Sequence, residues 1–190
     1  MTNMRDMDQV GDVSNVVLRR ANAVDAPAIA AVRVESWRAT YRGIIPDSYL
    51  DEMREDESTE LWFRVLTAPK NASTAVFVAE VAGEVVGFSA GLMLPEKKFE
   101  LDAELSAIYL KPKYQDQGLG QRLVRMVADA YQSHGANGML VWVLAENKVA
   151  RQFYEKLGGE LLIEQDFLWD DLSLREVGYG WRDLTTLAKG

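Results

Sequence analysis

The sequence has no cysteine and only one histidine, His134, and both scarcities exclude kinds of chemistry. Without cysteine there is no disulfide, no thiolate zinc site and no cysteine nucleophile. A metal site built on clustered histidines or an HExxH pair is excluded in the same way. His134 stands before Gly135 at the expected end of a helix, so we interpret it as a contact to the last helix carbonyls. Catalysis is then expected to use carboxylates, tyrosine and backbone groups, without a metal.

Two further absences concern location and partners. No apolar run approaches the ~20 residues that a membrane-spanning helix needs, and the first residues, MTNMRDMDQVGDVSN, lack the apolar segment of a secretory signal. We therefore expect a cytoplasmic protein with no membrane partner. The 21 basic residues are outnumbered by 29 acidic ones, and the net charge of −8 argues against a nucleic-acid partner. The same acidity is compatible with a cationic small molecule or peptide.

The order of predicted elements indicates one mixed α/β domain. The length of 190 residues and the hydrophobic fraction of 48% fit a single core. A strand over residues 16–22 precedes a helix whose N-cap candidate is Asp25, and one or two further helices follow. Two strands that meet near Gly83 are predicted to form a β-hairpin, and a polar connection, EKKFELDAE, comes after them.

The second half of the chain predicts a β-α-β unit. It consists of a strand over residues 103–110, a helix and a continuous apolar strand over residues 138–144. Another short helix and two strands complete the order. We expect residues 1–15 to form a mobile polar leader, residues 16–184 the single domain and residues 185–190 a C-terminal tail.

Two glycines stand one residue apart in the segment YQDQGLGQRLV, which begins at Tyr114. Gly118 and Gly120 lie where a helix is predicted to start, although glycine lowers helix stability. A tight turn between strand and helix is one explanation. The other is a phosphate site, because the N–H groups of a helix N-terminus bind anions that side chains would block. The segment lacks the third glycine of a dinucleotide fingerprint and the Gly-Lys-Ser/Thr of a P-loop, so neither NAD nor ATP is indicated.

Together with a second segment, NKVARQFYEKLGG, the glycine pair resembles the GNAT superfamily of acetyl-CoA-dependent N-acetyltransferases. The family signature Q/R-x-x-G-x-G/A is matched by Gln115, Gly118 and Gly120. The family segment N-x-x-A-x-x-F-Y-x-x-x-G is matched by Asn147, Ala150, Phe153, Tyr154 and Gly158. The chain departs from the family at Gly159, where an aromatic residue is usual. The resemblance runs over residues 16–181 and implies a GNAT-like mixed, largely antiparallel sheet flanked by helices, with a splayed central strand pair.

The resemblance also implies acetyl-CoA as co-substrate. Backbone amides at the helix start would hold its pyrophosphate, and Ile108 and Leu110 would pair with its pantetheine arm like an added strand. Asn147 would bond the same arm, cap the following helix, or do both. The full set of predicted cofactor-binding residues is Ile108, Tyr109, Leu110, Gln115, Asp116, Gln117, Gly118, Leu119, Gly120, Gln121, Arg122 and Asn147.

Two residues are candidates for catalysis. Tyr154 stands where the family places its general acid, since a phenol with a pKa near ~10 can protonate a departing thiolate. The alternative for Tyr154 is packing beside Phe153. Glu104 is the candidate base, in the register where some family members carry a glutamate, and alternation would put it on one face with Ser106, Ile108 and Leu110. A solvent-exposed strand-end charge is the alternative for Glu104, and Glu100 is a weaker candidate base.

The acceptor side is the least explicit part of the sequence. Trp37 and Tyr41, one helical turn apart, are predicted to border the acceptor pocket, with core packing as the alternative. The leading prediction is an N-acetyltransferase that moves the acetyl group directly to a primary amine of a small molecule or peptide, and a homodimer is left open. The competing prediction is a catalytically silent acyl-CoA-binding regulatory module, which would not need Tyr154 or Glu104.

Overall fold

The computed structural model describes residues 13–69, 73–169 and 172–189. Most of the predicted leader, residues 1–12, therefore lies outside the described part of the chain. The strands are β1 (Val16–Arg20), β2 (Thr74–Val81), β3 (Glu84–Lys98), β4 (Leu101–Leu110), β5 (Met139–Leu144), β6 (Glu160–Trp169) and β7 (Leu172–Trp181). The α-helices are α1 (Ala26–Tyr41), α2 (Asp47–Glu52), α3 (Glu55–Thr67), α4 (Leu119–Gln132) and α5 (Lys148–Lys156).

The strands form one sheet in the order β1-β2-β3-β4-β5-β7-β6. Every neighbouring pair is antiparallel except β4 with β5, which run parallel because α4 crosses over between them. The predicted mixed, largely antiparallel sheet and its β-α-β unit are therefore confirmed. The one parallel pair lies in the middle of the sheet.

Helices cover both faces of this sheet and create two cores. The first face is covered by α4 and α5. Leu123 and Val127 of α4 are among the side chains that pack against the sheet there. On the second face, Ile29 of α1 and Trp62 of α3 pack around Phe88 of β3. We call these the α4 face and the α1 face. Removal of these apolar side chains from water is the main favourable contribution to folding.

The apolar pattern of α4 fixes this helix, and with it the predicted phosphate site at its start, on the sheet. Leu119, Leu123, Val127 and Tyr131 recur at helical spacing and are all almost completely buried. At the end of the helix, Nδ1 of His134 lies 2.7 Å from the carbonyl oxygen of Ala130. The predicted contact between the single histidine and the helix end is thus confirmed.

The predicted polar connection after the hairpin was wrong. β3 continues to Lys98 and β4 begins at Leu101, so only Phe99 and Glu100 link them. Both linking residues have positive φ, 53° and 67°. Two left-handed residues form the tight turn whose twist suits a hairpin, and this conformation overrides the low preference of phenylalanine and glutamate for it.

Asp25 is the N-cap residue of α1, as predicted, but its side chain makes no capping hydrogen bond to that helix. It instead accepts hydrogen bonds from both terminal nitrogens of Arg19, at 2.8 Å each, and from the backbone N–H of Asn22. Asn22 caps the preceding 3-10 helix, Ala23–Asp25, by accepting from the N–H of Val24 at 3.0 Å. Asp25 is therefore a buried ion-pair partner that ties β1 to the start of α1.

The last described element is a short 3-10 helix, Leu184–Lys189. Leu184 and Leu187 are buried and belong to the core of the α4 face. Leu187, in the predicted C-terminal tail, thus packs against the domain, while the predicted domain boundaries stay a prediction. In the part of the chain that the structure describes, no helix is long and apolar enough to cross a membrane.

Replacing Asp25 by alanine should lower the free energy of unfolding by about 2 kcal/mol at neutral pH, because the Arg19 guanidinium loses a buried charged partner. The hydrogen bonds from Arg19 hold the pKa of Asp25 below its usual range. Its contribution is therefore complete above the unfolded-state pKa of ~3.9 and is lost as the pH falls through the folded-state value. Urea unfolding at several pH values measures the difference.

The matched control is Glu164→Ala, which breaks the exposed pair with Arg175. An exposed ion pair contributes less than about 1 kcal/mol, so this variant should change stability little. Equal losses for Asp25→Ala and Glu164→Ala would contradict the assignment of Asp25 as a buried anchor.

Candidate active site

The centre of the sheet contains a gap. Parallel pairing between β4 and β5 covers residues 103–105 of β4 and ends at the pair of Leu105 with Val141. Both strands continue, to Leu110 and Leu144, without pairing to each other. Their facing edges therefore present backbone N–H and C=O groups that another extended chain can bind. This geometry agrees with the splayed strand pair that the sequence resemblance implied.

A β-bulge in β4 lies where the gap begins. Ala107 pairs with Ala90 and Leu105 pairs with the next residue of β3, so Ser106 is the extra residue. The bulge reverses the alternation of side chains, and Ile108 and Leu110 consequently pack on the α4 face together with Leu105. The prediction of a single face for Glu104, Ser106, Ile108 and Leu110 was therefore wrong. Glu104 alternates with buried residues of the α4 face and points to the α1 face.

The backbone of β4 beyond the bulge turns alternate groups toward the gap. The N–H of Lys111 donates to the carbonyl of Val86 in β3 at 2.9 Å. Neighbouring residues in a strand point in opposite directions, so the peptide groups of Ile108 and Leu110 face the gap. The carbonyl of Leu110 already accepts hydrogen bonds from Oγ of Ser36, at 3.1 Å, and from Nε2 of Gln115, at 3.0 Å. Ile108 thus keeps both its groups directed at the gap.

The loop between β4 and α4 places backbone amides at the open end of the gap. Gly118 has φ of 78° and precedes the first helical residue, a conformation that glycine adopts at little cost. The first amide of this helix to bond a backbone carbonyl is that of Arg122, which donates to Gly118 at 3.2 Å. The amides of Leu119, Gly120 and Gln121 precede it and have no acceptor within the helix. A helix start of this kind can accept an anion.

Gly120 has a packing reason of its own. A Cβ atom built there would lie 3.2 Å from the Phe153 ring of α5, which is closer than ordinary van der Waals contact. A Cβ atom at Gly118 would meet nothing within 4 Å. The two glycines thus meet different requirements, backbone conformation at 118 and close approach of α4 to α5 at 120.

α5 places the predicted general acid, Tyr154, in the interior of the protein. Its N-cap is Asn147, whose side chain accepts from the N–H of Ala150 at 3.1 Å, as one of the two predicted roles requires. Tyr154 is buried next to the rings of Tyr179 and Trp181 of β7. Burial raises the pKa of Tyr154 above its ordinary value, so the phenol keeps its proton at neutral pH.

β7 fixes the position of α5 through polar contacts. The hydroxyl of Tyr179 donates to Oε1 of Glu155 at 2.6 Å and accepts from Nε of Arg151 at 3.2 Å. The indole N–H of Trp181 donates to the carbonyl of Leu157 at 2.9 Å. The helix that holds Tyr154 is therefore attached along its length to the sheet.

An aromatic cluster lines the α1 face of the gap. Trp37 is 5.0 Å from Tyr41, 6.4 Å from Tyr49 and 6.3 Å from Tyr109, between ring centroids, and Tyr49 is 4.4 Å from Trp169. The cluster connects α1, α2, β4 and β6. The guanidinium carbon of Arg33 lies 4.5 Å from the Trp37 ring centroid, so this ring already has a cation of the protein on one face.

Tyr41 links the two faces of the sheet. Burial is the largest cause that raises the pKa of Tyr41, and electrostatic interaction with Tyr109 and Tyr154 raises it further. The Asn147 side chain acts in the opposite direction. Tyr41 belongs to α1, whereas Tyr154 and Asn147 belong to α5, on the other face. Groups on the other face of the sheet therefore contribute to the pKa of Tyr41.

Glu104 is half-buried on the α1 face. Desolvation raises the pKa of this carboxyl, the positive charge of Lys98 lowers it, and the negative charge of Glu176 raises it. Glu100 lies instead in the β3–β4 turn, where its exposed carboxylate is 3.4 Å from Arg182. The structure thus favours Glu104 as the carboxyl directed at the gap.

Sequence reasoning missed three residues around Glu104. Trp142 was hidden in the continuous apolar strand, Lys98 in the expected polar connection, and Glu176 in an outer strand. Lys98 places its ammonium 4.4 Å from the centroid of the Trp142 ring. Period-two alternation along β5 and β7 would have put Trp142 and Glu176 on one face, but the choice of face required the sheet order.

Two other kinds of chemistry find no support in the described residues. The segment GFSAG at residues 87–91 matches G-x-S-x-G, but its Ser89 is fully buried in the middle of β3 and donates to the carbonyl of Leu123 at 3.2 Å. It is therefore not an exposed nucleophile at a strand-to-helix turn. No group of three metal-ligating side chains occurs in the part of the chain that the structure describes.

Comparison with known proteins identifies a family that agrees with this geometry. The Acetyltransferase (GNAT) family matches residues 33–159, more than half of the chain. The chain belongs to this family. This GNAT protein is 36% identical to the uncharacterised N-acetyltransferase YuaI of Bacillus subtilis over 173 residues, which covers 90% of this chain and 96% of that protein. The resemblance recognised from the glycine pair and the NKVARQFYEKLGG segment is therefore confirmed, and the chain is an N-acetyltransferase.

Two further relatives come from Thermoplasma acidophilum. Spermidine N(1)-acetyltransferase is 26% identical over 146 residues, which covers 76% of this chain and 88% of that enzyme. The solved structure of PaiA N-acetyltransferase in complex with coenzyme A has a TM-score of 0.71 and 22% identity, covering 88% of this chain and 99% of that one. The structural likeness supports the fold alone.

The charges around Glu104 can be tested without substrate. Lys98→Met should raise the pKa of Glu104 further, because a neighbouring positive charge favours the ionised carboxyl. Glu176→Gln should lower it by removing a like charge. Carbon NMR of labelled glutamate carboxyls, titrated with acid, measures both shifts.

Lys97→Met is the matched control. Lys97 pairs with Oδ1 of Asp102 at 2.9 Å and holds the pKa of that carboxyl below its usual range. This variant should raise the pKa of Asp102 and leave that of Glu104 unchanged. The same Glu104 response to both lysine variants would contradict the proximity of Lys98 to Glu104.

Proposed function

We propose that this GNAT enzyme transfers the acetyl group of acetyl-CoA to a primary amine by direct attack within a ternary complex. The observation that carries the proposal is the gap between β4 and β5, with unpaired helix amides at its open end, a buried phenol on one face and a half-buried carboxyl on the other. The absence of cysteine favours direct transfer over an acetylated cysteine intermediate.

The residues present fit a coenzyme A molecule. The amides of Leu119, Gly120 and Gln121 suit its pyrophosphate, and the exposed Arg122 adds a positive charge beside them. The peptide groups of Ile108 suit the amides of an extended pantetheine arm in the gap. The PaiA structure holds coenzyme A on the same fold, which supports this placement.

Tyr109 has a different place from the one expected for a cofactor-binding residue. Its backbone pairs with Phe88 of β3, and its ring belongs to the aromatic cluster of the α1 face. We therefore assign Tyr109 to the acceptor side. The loop residues Gln115 and Gln117 act through the backbone, because their side chains bond the carbonyls of Leu110 and Lys113 within the loop.

The chemistry requires two protons to leave the ammonium, one before attack and one after it, and one proton to reach the departing thiolate. The second proton from the nitrogen restores the acid that protonates the thiolate. Glu104 takes the proton from the ammonium, directly or through water, and its raised pKa makes it a stronger base than an exposed carboxylate. The neutral amine attacks the thioester carbon, and the C–S bond breaks. The phenol of Tyr154, protonated because it is buried, donates its proton to the thiolate.

The acceptor that fits best is a cationic primary amine. The net charge of −8 attracts cations, and Glu104 and Glu176 provide negative charge at the α1 face. The relative named for spermidine supports a small polyamine-like acceptor. Arg33 already covers one face of Trp37, so we assign both Trp37 and Tyr41 to the wall of the pocket.

Nothing in the comparisons favours the silent regulatory module. The cytoplasmic location and a homodimer stay predictions. The direct test of the proposal is release of free thiol from acetyl-CoA in the presence of a panel of primary amines that includes spermidine. No thiol release with any amine, from a protein that binds acetyl-CoA, would contradict the proposed catalysis.

Replacing the exposed Arg122 by glutamate should weaken acetyl-CoA binding about tenfold, because it puts a negative charge beside the pyrophosphate. The effect should diminish as salt is added. Isothermal calorimetry measures both. Arg64→Glu, the same charge change at an exposed position on α3, serves as the control. Equal weakening by both variants would indicate a general field effect and remove the helix start as the phosphate site.

Tyr154→Phe should lower kcat about 100-fold and leave acetyl-CoA affinity nearly unchanged, because only the leaving-group interaction is lost. Glu104→Gln should instead flatten the acidic limb of the pH profile of kcat/KM, since the group that must lose a proton is gone. Steady-state kinetics with the best amine of the panel checks both. Ping-pong kinetics with a stable acetylated enzyme intermediate would contradict direct transfer.

A further inference from the structure

The Trp142 ring forms a flat platform on the α1 face of the sheet. A Cβ atom built at Gly178, its partner in β7, would lie 3.1 Å from this ring. The glycine therefore leaves room for the indole ring beside the neighbouring strand.

A lysine of the same chain lies over this ring. The ammonium of Lys98 lies 4.4 Å from the centroid of the Trp142 ring, within the range of a cation–π contact. The preceding residue, Lys97, behaves differently, because its ammonium is 2.9 Å from the carboxylate of Asp102. Of these two adjacent lysines, one pairs with a carboxylate and the other rests on the aromatic platform.

The platform adjoins the narrow end of the gap. Trp142 follows Val141, the last residue of β5 to pair with β4. Glu104 lies one residue before the end of that pairing on the other strand, and its carboxyl is close enough to Lys98 for their charges to interact. A primary amine, a candidate base and the start of the gap therefore meet at one place.

We propose that Lys98 occupies the acceptor-amine position on Trp142 and is itself acetylated by the enzyme when no external amine is present. This inference rests on the proposed function. It assigns a modification site and also indicates the acceptor chemistry that the platform takes, which is a primary ammonium on a flexible alkyl stem, as in lysine itself.

The proposed step balances with acetyl-CoA as the only co-reactant. Glu104 takes a proton from the Lys98 ammonium, and the neutral nitrogen forms a bond to the thioester carbon. The C–S bond breaks, and Tyr154 gives its proton to the leaving thiolate. The acetylated nitrogen then loses its second proton, which restores the phenol of Tyr154. The products are Nε-acetyl-Lys98 and free coenzyme A, and no oxidant, reductant or metal takes part.

Acetylation removes the charge of Lys98 and with it the cation–π contact. The acetylated side chain makes no cation–π contact with the Trp142 ring, so an external cationic amine meets less competition for that ring. Lys98 thus acts as an internal occupant of the acceptor site that the enzyme can neutralise with its own co-substrate.

The test uses the whole purified chain with acetyl-CoA and no added amine. Intact-mass spectrometry should find one added acetyl group, and peptide mapping should place it on Lys98. The rate per molecule should not depend on protein concentration, because the reaction is intramolecular. Lys98→Arg should abolish the modification, Lys97→Arg should leave it unchanged, and Tyr154→Phe should slow it about 100-fold.

Two results would overturn the inference. One is acetyl-CoA binding by calorimetry with no acetyl group on Lys98. The other is slow acetylation spread over many lysines, at the same rates in the urea-unfolded chain, which would be uncatalysed chemistry. A folded protein that does not bind acetyl-CoA at all would instead overturn the proposed function, and the inference with it.

Discussion

The site depends on one constraint, which is that two parallel strands stop pairing in the middle of an otherwise continuous sheet. Buried peptide groups must find partners, and a sheet normally supplies them from the next strand. Here β4 and β5 pair over residues 103–105 and then separate, with the bulge at Ser106 at the point of separation. α4 and α5 pack beside these strands, and their contact leaves little room for a Cβ atom at position 120.

The gap also explains why the two halves of the site stand on different faces. The helix amides and Tyr154 belong to the α4 face, whereas Glu104 and the aromatic cluster belong to the α1 face. Side chains on opposite faces of the sheet can approach each other only where β4 and β5 are no longer paired. Tyr154 contributes to the raised pKa of Tyr41 from the opposite face of the sheet.

Motifs with a fixed spacing were readable from the sequence, because a short segment determines their geometry. Asn147 and Tyr154 on one helix and Gly118 before another needed no tertiary information. The bulge at Ser106 was not readable, since residues on both sides of it look like one alternating strand. It reversed the expected face of Glu104 relative to Ile108. The contact of Lys98 with Trp142 joins residues that are distant in the chain, and only the sheet order brings them together.

The three residue pairs that join β4 to β5 have a thermodynamic consequence. They are the only strand pairing between β1–β4 and the β5–β7–β6 group in the described residues, so the sheet is two blocks with a short common seam. A ligand that bonds to both inner edges completes the seam and behaves as a missing strand. Its binding energy is then partly folding energy, and occupancy at about 100 times Kd adds about 2.7 kcal/mol to the stability of the native state. The cellular supply of such a ligand would set how long the folded chain survives as well as how fast it works.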